Sequence, residues 1–255
     1  MDYIISNQKS ISVKLQRLLM IMVAIIVASM TITACLEDEN GENPDDNGNG
    51  GGGVAGKRLK TVVFTCSKPL NQFVRVEYSY NSDGTLKRLN HYDNSSKLLS
   101  YSDVTNNSDG LSQKAVLYSN DGSVLMIDNF TYNSDKTLKK NQVDYYNNGV
   151  ISYTLDYEYK YENGKRIRIE IYNNGLEIAN WKYDFDNKGR ITTTVYTLYQ
   201  AGQTFSMTYT RTYNSDGTIQ KVTHPLSFVD DTPVTETYTW ENGKTTFDFD
   251  MYETY

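Results

Sequence analysis

Apolar and polar side chains alternate strictly between residues 151 and 171. The apolar positions before the turn are Ile151, Tyr153, Leu155, Tyr157, Tyr159 and Tyr161, and those after it are Ile167, Ile169 and Ile171. A period of two places successive side chains on opposite faces of a β-strand, whereas an amphipathic helix needs a period of about 3.6. The alternation breaks at Asn163-Gly164, a pair that tolerates the positive φ angles of a type I′ turn. The pattern therefore predicts a β-hairpin with one buried face.

Turn sequences rich in Asn, Asp and Gly repeat this arrangement along the chain. The main set is YNSDG (80–84), NNSDG (106–110), YNSDK (132–136), YENG (161–164), FDNKG (185–189), YNSDG (213–217) and WENG (240–243). A second set lies between them: SNDG (119–122), YNNG (146–149), YNNG (172–175) and YQAG (199–202). Such a period indicates a repeat architecture whose unit is two strands and two turns. About seven units fit.

Seven hairpins predict an all-β fold, an antiparallel meander of about 14 strands. Because an open sheet of that size leaves two exposed edges, we expect a closed or nearly closed barrel. A curved single sheet or a flattened sandwich is the alternative. The apolar face could point inward, onto a plug, a ligand or the opposite wall, or outward into lipid. We favour a barrel outside the membrane, since a face dominated by tyrosine needs hydrogen-bond partners.

Two repeat units are irregular. The turn HYDNSSK (91–97) lacks glycine, and THPLSFVDDTP (223–233) contains two prolines. The prolines predict a longer loop there, and we interpret it as a connection without a functional role of its own.

The N-terminal residues 1–34 have the pattern of a secretory signal peptide. Lys9, Lys14 and Arg17 precede the wholly apolar run LLMIMVAIIVA (18–28), which is short for a membrane span. The sequence ITAC that ends at Cys35 resembles the lipobox of bacterial lipoproteins. That resemblance implies cleavage before Cys35 and attachment of acyl chains to it, which would anchor the protein to a membrane.

Residues 35–57 form a segment that is acidic, rich in Asn and Gly and nearly free of apolar side chains, and we expect a flexible tether. The cluster Glu37-Asp38-Glu39 resembles the surface-export signal of lipoproteins from Bacteroidetes, although a solvated linker would look the same. From Lys57 onward the chain carries 22 basic and 24 acidic residues, a net charge of −2. No basic stripe is present, so nucleic-acid binding has no electrostatic basis.

The motif Y-x-Y-[ND]-x-x-G, followed by Leu or Ile, resembles the tyrosine-aspartate repeats of bacterial surface and toxin proteins. Leader and repeats together resemble a family of Bacteroidetes lipoproteins of unknown function with a porin-like barrel fold. The resemblance covers the predicted β-hairpin repeat domain, residues 58–255. It implies no catalytic residues.

Residues suited to catalysis are few. His91 and His224 are the two histidines, and no metal-ligand spacing includes them, so we expect solvated or turn positions. Asp248 and Asp250 share one face of a predicted strand and could serve glycoside hydrolysis, but a polar outer face explains them as well. Cys66 is the one cysteine besides Cys35, and we expect a buried structural thiol.

The Asp-rich turn at 184–189 suggests a calcium loop but lacks the later bidentate glutamate that such loops need, and ordinary turn chemistry explains it without an ion. We therefore expect no cofactor, no metal and no enzymatic activity. The predicted protein is a lipid-anchored, surface-exposed component of the outer membrane. Its role would be structural or would consist of binding a glycan, lipid or protein. The alternatives are a carboxylate-dependent envelope glycoside hydrolase and an outer-membrane pore.

Overall fold

The computed structural model describes residues 57–68, 70 and 74–242, which form fourteen strands. The strands are β1 (Lys57–Cys66), β2 (Arg75–Tyr80), β3 (Leu86–Tyr92), β4 (Leu98–Asn106), β5 (Ser112–Ser119), β6 (Val124–Tyr132), β7 (Leu138–Asn147), β8 (Val150–Glu162), β9 (Lys165–Asn173), β10 (Leu176–Phe185), β11 (Ile191–Gln200), β12 (Gln203–Tyr213), β13 (Ile219–Ser227) and β14 (Asp230–Asn242). No described residue belongs to a helix long and apolar enough to cross a membrane.

Each strand pairs antiparallel with the next, and β1 pairs with both β2 and β14. The sheet therefore closes on itself, which confirms the predicted meander barrel of 14 strands. Closure removes the unpaired edges that an open sheet would expose to other chains.

The apolar face of each strand points into the barrel. Tyr157, Ile169 and Tyr209, from three different strands, are at most 1% exposed. Similar burial holds around the whole ring of strands, from Leu59 on β1 to Val234 on β14. The interior is thus filled by the chain's own side chains.

The outer wall carries charge. On β8, β9 and β10, Lys160 pairs with Glu158 (2.7 Å) and Glu170 (3.3 Å), and Arg168 pairs with Glu170 (3.2 Å) and Glu177 (2.6 Å). A barrel that spans a bilayer turns an apolar band outward instead. The described wall therefore has the polarity of a water-facing surface.

The turns lie at two ends of the barrel. The repeat end holds turns 81–84, 107–110, 133–136, 163–164, 186–189 and 214–217, and the hairpin end holds turns 93–97, 120–122, 148–149, 174–175, 201–202 and 228–229. Asn163 and Gly164 have φ angles of 50° and 75°, which confirms the type I′ turn predicted there.

The first residue of five of the seven main turn sequences has a bonding role at the repeat end. The hydroxyls of Tyr80, Tyr132 and Tyr213 donate to the carbonyls of Leu59 (2.7 Å), Ser112 (2.7 Å) and Ile191 (2.5 Å), the indole of Trp240 donates to Ile219 (2.9 Å), and the amide of Asn106 donates to Leu86 (2.8 Å). Each bond joins two neighbouring strands that no turn connects at this end. Turns and side-chain bonds therefore alternate around much of the rim.

The segment 223–233 departs from the prediction of a longer loop. β13 and β14 continue through it and meet in a two-residue turn at 228–229, with Pro225 opposite Pro233 in the register. Proline cannot donate to a ladder, so it is tolerated only where one edge of the strand has no partner. Pro225 lies at such a place, as described next.

Candidate functional site: the seam between β12 and β13

The wall of the barrel opens between β12 and β13. The two strands pair from Tyr213 opposite Ile219 only as far as Thr210 opposite Thr223. Beyond that point residues 203–209 remain paired with β11, and β13 remains paired with β14. The register therefore leaves a seam toward the hairpin end of the barrel.

Ring contacts hold the seam where the backbone ladder has ended. The ring of Tyr209 lies 4.7 Å from that of His224. Closer to the hairpin end, Phe228 reaches across the opening, with its ring centroid 5.5 Å from Tyr196 and 6.1 Å from Phe205. Because Tyr196 is a buried interior residue, Phe228 covers the core at the point where two strands separate.

A shallow open depression of about 480 Å³ marks the seam on the outside. It is lined by Ser206, Met207, Thr208, Thr210, Thr223, His224, Pro225, Asp231 and Pro233. The lining combines hydroxyl groups, one carboxylate and two proline rings, which suits weak polar contacts more than the enclosure of a small molecule.

A buried acid–base pair lies directly behind this depression. His224 Nε2 is 3.2 Å from Glu236 Oε1, and both side chains are fully buried. His224 Nδ1 lies 2.7 Å from the carbonyl oxygen of Pro225, which can only accept, so Nδ1 carries a proton. With only that proton on the ring, Nε2 of His224 and Oε1 of an ionised Glu236 would both present lone pairs. Their contact is favourable only when a second proton lies between the two atoms. Tyr238 donates its hydroxyl to the other Glu236 oxygen at 2.7 Å.

Arg211 of β12 completes this group. Its guanidinium donates to the hydroxyl of Thr194 on β11, and the side chain is 6% exposed. Burial, together with the neighbouring carboxylate of Glu236, raises the pKa values of Tyr209 and Tyr238 well above their usual range. Both phenols therefore stay neutral. Closed off from water, these groups link β11, β12, β13 and β14.

A second polar cluster lies in the interior and joins five strands, β6 to β10. The amide of Asn141 donates to both oxygens of the buried Asp128 (2.9 and 3.0 Å), and Tyr159 donates to the Asn141 carbonyl at 2.8 Å. The guanidinium of Arg166 lies over the rings of Tyr159 (5.6 Å) and Tyr183 (5.1 Å). Buried polar groups satisfied in this way fix strand register more than they add stability.

The two histidines are not where the sequence placed them. We expected solvated or turn positions, but His91 and His224 are 8% and 2% exposed and point into the barrel. Each histidine lies two residues after a buried apolar residue, His91 after Leu89 and His224 after Val222. A spacing of two places the histidine on the same, inward face of the strand. Burial lowers the pKa of His91 to about 4, which keeps its imidazole neutral.

The other predicted residues fall into two groups. Cys35, Asp248 and Asp250 lie outside the described residues. Cys66 ends β1 as a half-buried free thiol packed against the core.

The Asp-rich turn at 184–189 is satisfied by its own protein groups. The Asp186 carboxylate accepts from the backbone of Lys188 (2.9 Å) and from the backbone (2.9 Å) and guanidinium (2.8 and 2.6 Å) of Arg190. Turn chemistry therefore accounts for this motif, as the sequence suggested. Among the described residues, no three His, Cys, Asp or Glu side chains come together in a metal-binding group.

Sequence reasoning missed the buried charged residues although a signal was present. Asp128, Arg211 and Glu236 each fall on the apolar parity of their strand, for example in the alternation V-x-E-x-Y-x-W that ends at Trp240. A charged residue at an inward-facing position of a strand predicts an interior polar group that needs a partner.

Comparisons with known proteins assign no family to the chain. No family model and no curated protein matches the chain. Among solved structures, a porin-like protein from Bacteroides uniformis aligns with 15% identity and a TM-score of 0.43, covering 72% of this chain and 98% of that one. The TcdB2-TccC3-Cdc42 structure aligns with 15% identity and a TM-score of 0.28, covering 63% and 9%. TcdB2-TccC3 without its hypervariable C-terminal region gives 14% identity and a TM-score of 0.27, covering 66% and 10%.

Proposed function

We propose that the protein is a lipid-anchored β-barrel of the cell envelope, exposed at the surface, with a structural or non-enzymatic binding role. The observation that carries the proposal is the direction of the barrel's two faces. The interior is packed by side chains such as Tyr157 and Tyr209, and the outer wall bears ion pairs such as Lys160–Glu170. A chain built this way offers a water-facing surface and no aqueous lumen.

The leader and ITAC motif support the anchor. Acyl chains on Cys35 would hold the barrel to a membrane through the polar segment 36–56. The nearly balanced charge from Lys57 onward, with 22 basic and 24 acidic residues, favours glycan, lipid or protein partners over nucleic acid.

Labelling with palmitate tests the anchor. The chain should incorporate label, and Cys35→Ala should abolish incorporation and release the protein into the soluble fraction. Protease treatment of intact cells should remove the barrel if it is exposed outside. An unlabelled wild-type chain would overturn the anchored part of the proposal.

Planar-bilayer recordings and activity assays test the alternatives. We expect no conductance steps, because the interior is filled. We also expect no turnover of a glycoside panel, and a glycan array should report binding if the partner is a sugar. Conductance, or turnover lost on Asp248→Asn or Asp250→Asn, would replace the proposed role by a pore or a hydrolase.

A further inference from the structure

Exposed apolar side chains concentrate at the hairpin end of the barrel. Among the described residues, those in the half of the barrel toward this end are Val63, Leu125, Val150, Ile151, Leu176, Tyr199 and Val229, and Ile167 lies in the other half. Val150, Leu176 and Val229 are 68%, 70% and 88% exposed and stand beside tight turns. Exposure of this degree at several neighbouring tips marks an interaction surface.

Four neighbouring tips of this end carry no charge apart from Asp230. They are NNGVI (147–151), NNGL (173–176), YQAGQ (199–203) and SFVD (227–230), which we call the uncharged arc. The facing tips of the repeat end read YENGK (161–165), FDNKG (185–189) and YNSDG (213–217), each with charged side chains. On this side of the barrel the two rims therefore differ in polarity.

We infer that the uncharged arc is a contact surface for a neutral lipid bilayer. Strands lie about 4.8 Å apart, so tips of successive hairpins are about 10 Å apart and the arc is about 30 Å long. A bilayer is flat and deformable, so it meets several separated apolar tips at once without a matching set of pockets. Tyr199 and Tyr146, which lies opposite Ile151 in the register, stand one step behind the tips, where amphipathic rings suit the headgroup region.

The charge of the arc selects the kind of lipid. Attraction to anionic headgroups requires clustered Lys or Arg, and the four tips contain none. The nearby Lys68 is paired with Asp230 at 2.6 Å. The surface is therefore suited to zwitterionic lipid, with apolar contact as the source of affinity.

The length of chain before the barrel permits this orientation. β1 begins at Lys57, at the repeat end, and residues 36–56 separate it from Cys35. Twenty-one residues span about 70 Å when extended, whereas the longest strands, of 13 residues, span about 43 Å. An acylated Cys35 can thus reach the bilayer that the arc contacts, although the arc's affinity does not depend on acylation.

Sedimentation with vesicles tests the inference on the chain from Cys35 onward carrying Cys35→Ser, which removes the acyl anchor. We expect it to bind phosphatidylcholine vesicles and to gain nothing from added phosphatidylglycerol. The triple variant Val150→Ser, Leu176→Ser, Val229→Ser should lower the bound fraction about tenfold, since three protruding apolar side chains are lost. The matched control, Val63→Ser with Ile167→Ser, should bind like its parent.

Fluorescence gives a second measurement that does not depend on loss of binding. Leu176→Trp should shift its emission to the blue and be quenched by brominated acyl chains, whereas Ile167→Trp should not respond. Equal binding by the triple variant and its parent, or no binding by either, would overturn the inference. So would a dimer seen without lipid that the triple variant abolishes. Vesicle binding in a protein that palmitate fails to label would refute the proposed anchor but leave the arc standing.

Discussion

The two ends of the barrel close the same sheet by different means. At the repeat end, turns alternate with side-chain hydrogen bonds such as Tyr213–Ile191 and Tyr132–Ser112. Strands that no turn connects at this end are therefore joined by a side chain. At the hairpin end, four neighbouring turns are short and almost free of charge, one seam stands open, and Phe228 covers it. Repeated local bonds thus join the strands at one rim, and an irregular hairpin gives the other rim its distinct surface.

One buried histidine also makes the two ends respond differently to protons. The half toward the hairpin end buries His91, whose imidazole stays neutral because burial lowers its pKa. Turn aspartates do not distinguish the ends, since hydrogen bonds lower the pKa values of Asp83 and Asp216 at the repeat end and of Asp93 and Asp121 at the hairpin end. We therefore expect His91 to set the hairpin half apart as the pH falls.

The largest expected effect is the response of His91 to acid. Its pKa is lowered to about 4 from 6.5, so between these values the unfolded chain binds a proton that the folded chain does not. Stability is complete above pH 6.5 and falls by about 3 kcal/mol as pH decreases to 4. Urea unfolding across this range measures it. His91→Gln should flatten the curve above pH 4, where the turn aspartates stay ionised, and an unchanged slope would contradict the assignment.

Removing the cover of the seam should have the next largest effect. Phe228→Ala deletes the ring contacts with Tyr196 and Phe205, at an expected cost of about 2 kcal/mol in the free energy of unfolding. Hydrogen exchange should accelerate for the amides of residues 203–209 in particular. Val229→Ala, at the adjacent and 88% exposed position, is the matched control and should leave both measurements unchanged. Exchange that rises uniformly around the barrel would argue against a local cover.

At the repeat end, loss of a single hydroxyl isolates the side-chain bond. Tyr213→Phe removes the donor to the Ile191 carbonyl and should cost about 1 kcal/mol in the free energy of unfolding. Tyr146→Phe, at a half-buried tyrosine of the hairpin end whose hydroxyl bonds to none of the described residues, should cost less if the rims differ as described. Equal costs would mean that the hydroxyl bonds do not distinguish the repeat end.

The sequence predicts regular parts of this molecule well because the same physical signal recurs in them. Strict alternation and Asn-Gly pairs locate strands and turns, and seven similar units imply a closed sheet. The seam was not predictable, since the prolines of 223–233 indicate a break in pairing without saying on which edge it falls. His224 and Glu236 were missed because polarity was given more weight than their place on the buried parity.

The smallest expected effect tests whether one repeat-end turn carries avoidable strain. Lys136 occupies the position that glycine holds in the other YNSD turns, with a φ of 69°. A side chain disfavours this left-handed conformation, so Lys136→Gly should stabilise the barrel by about 0.5 to 1 kcal/mol. The Lys136–Asp109 ion pair (3.5 Å) is lost in this variant, but both side chains are largely exposed and the pair contributes little. Lys136→Ala separates the two terms, because it removes the charge and keeps the strain. Ala201→Gly at the hairpin end, where φ is 50°, should raise the free energy of unfolding by a similar amount. If only one of the two variants is stabilised, contacts besides the turn's own backbone hold the other turn in this conformation.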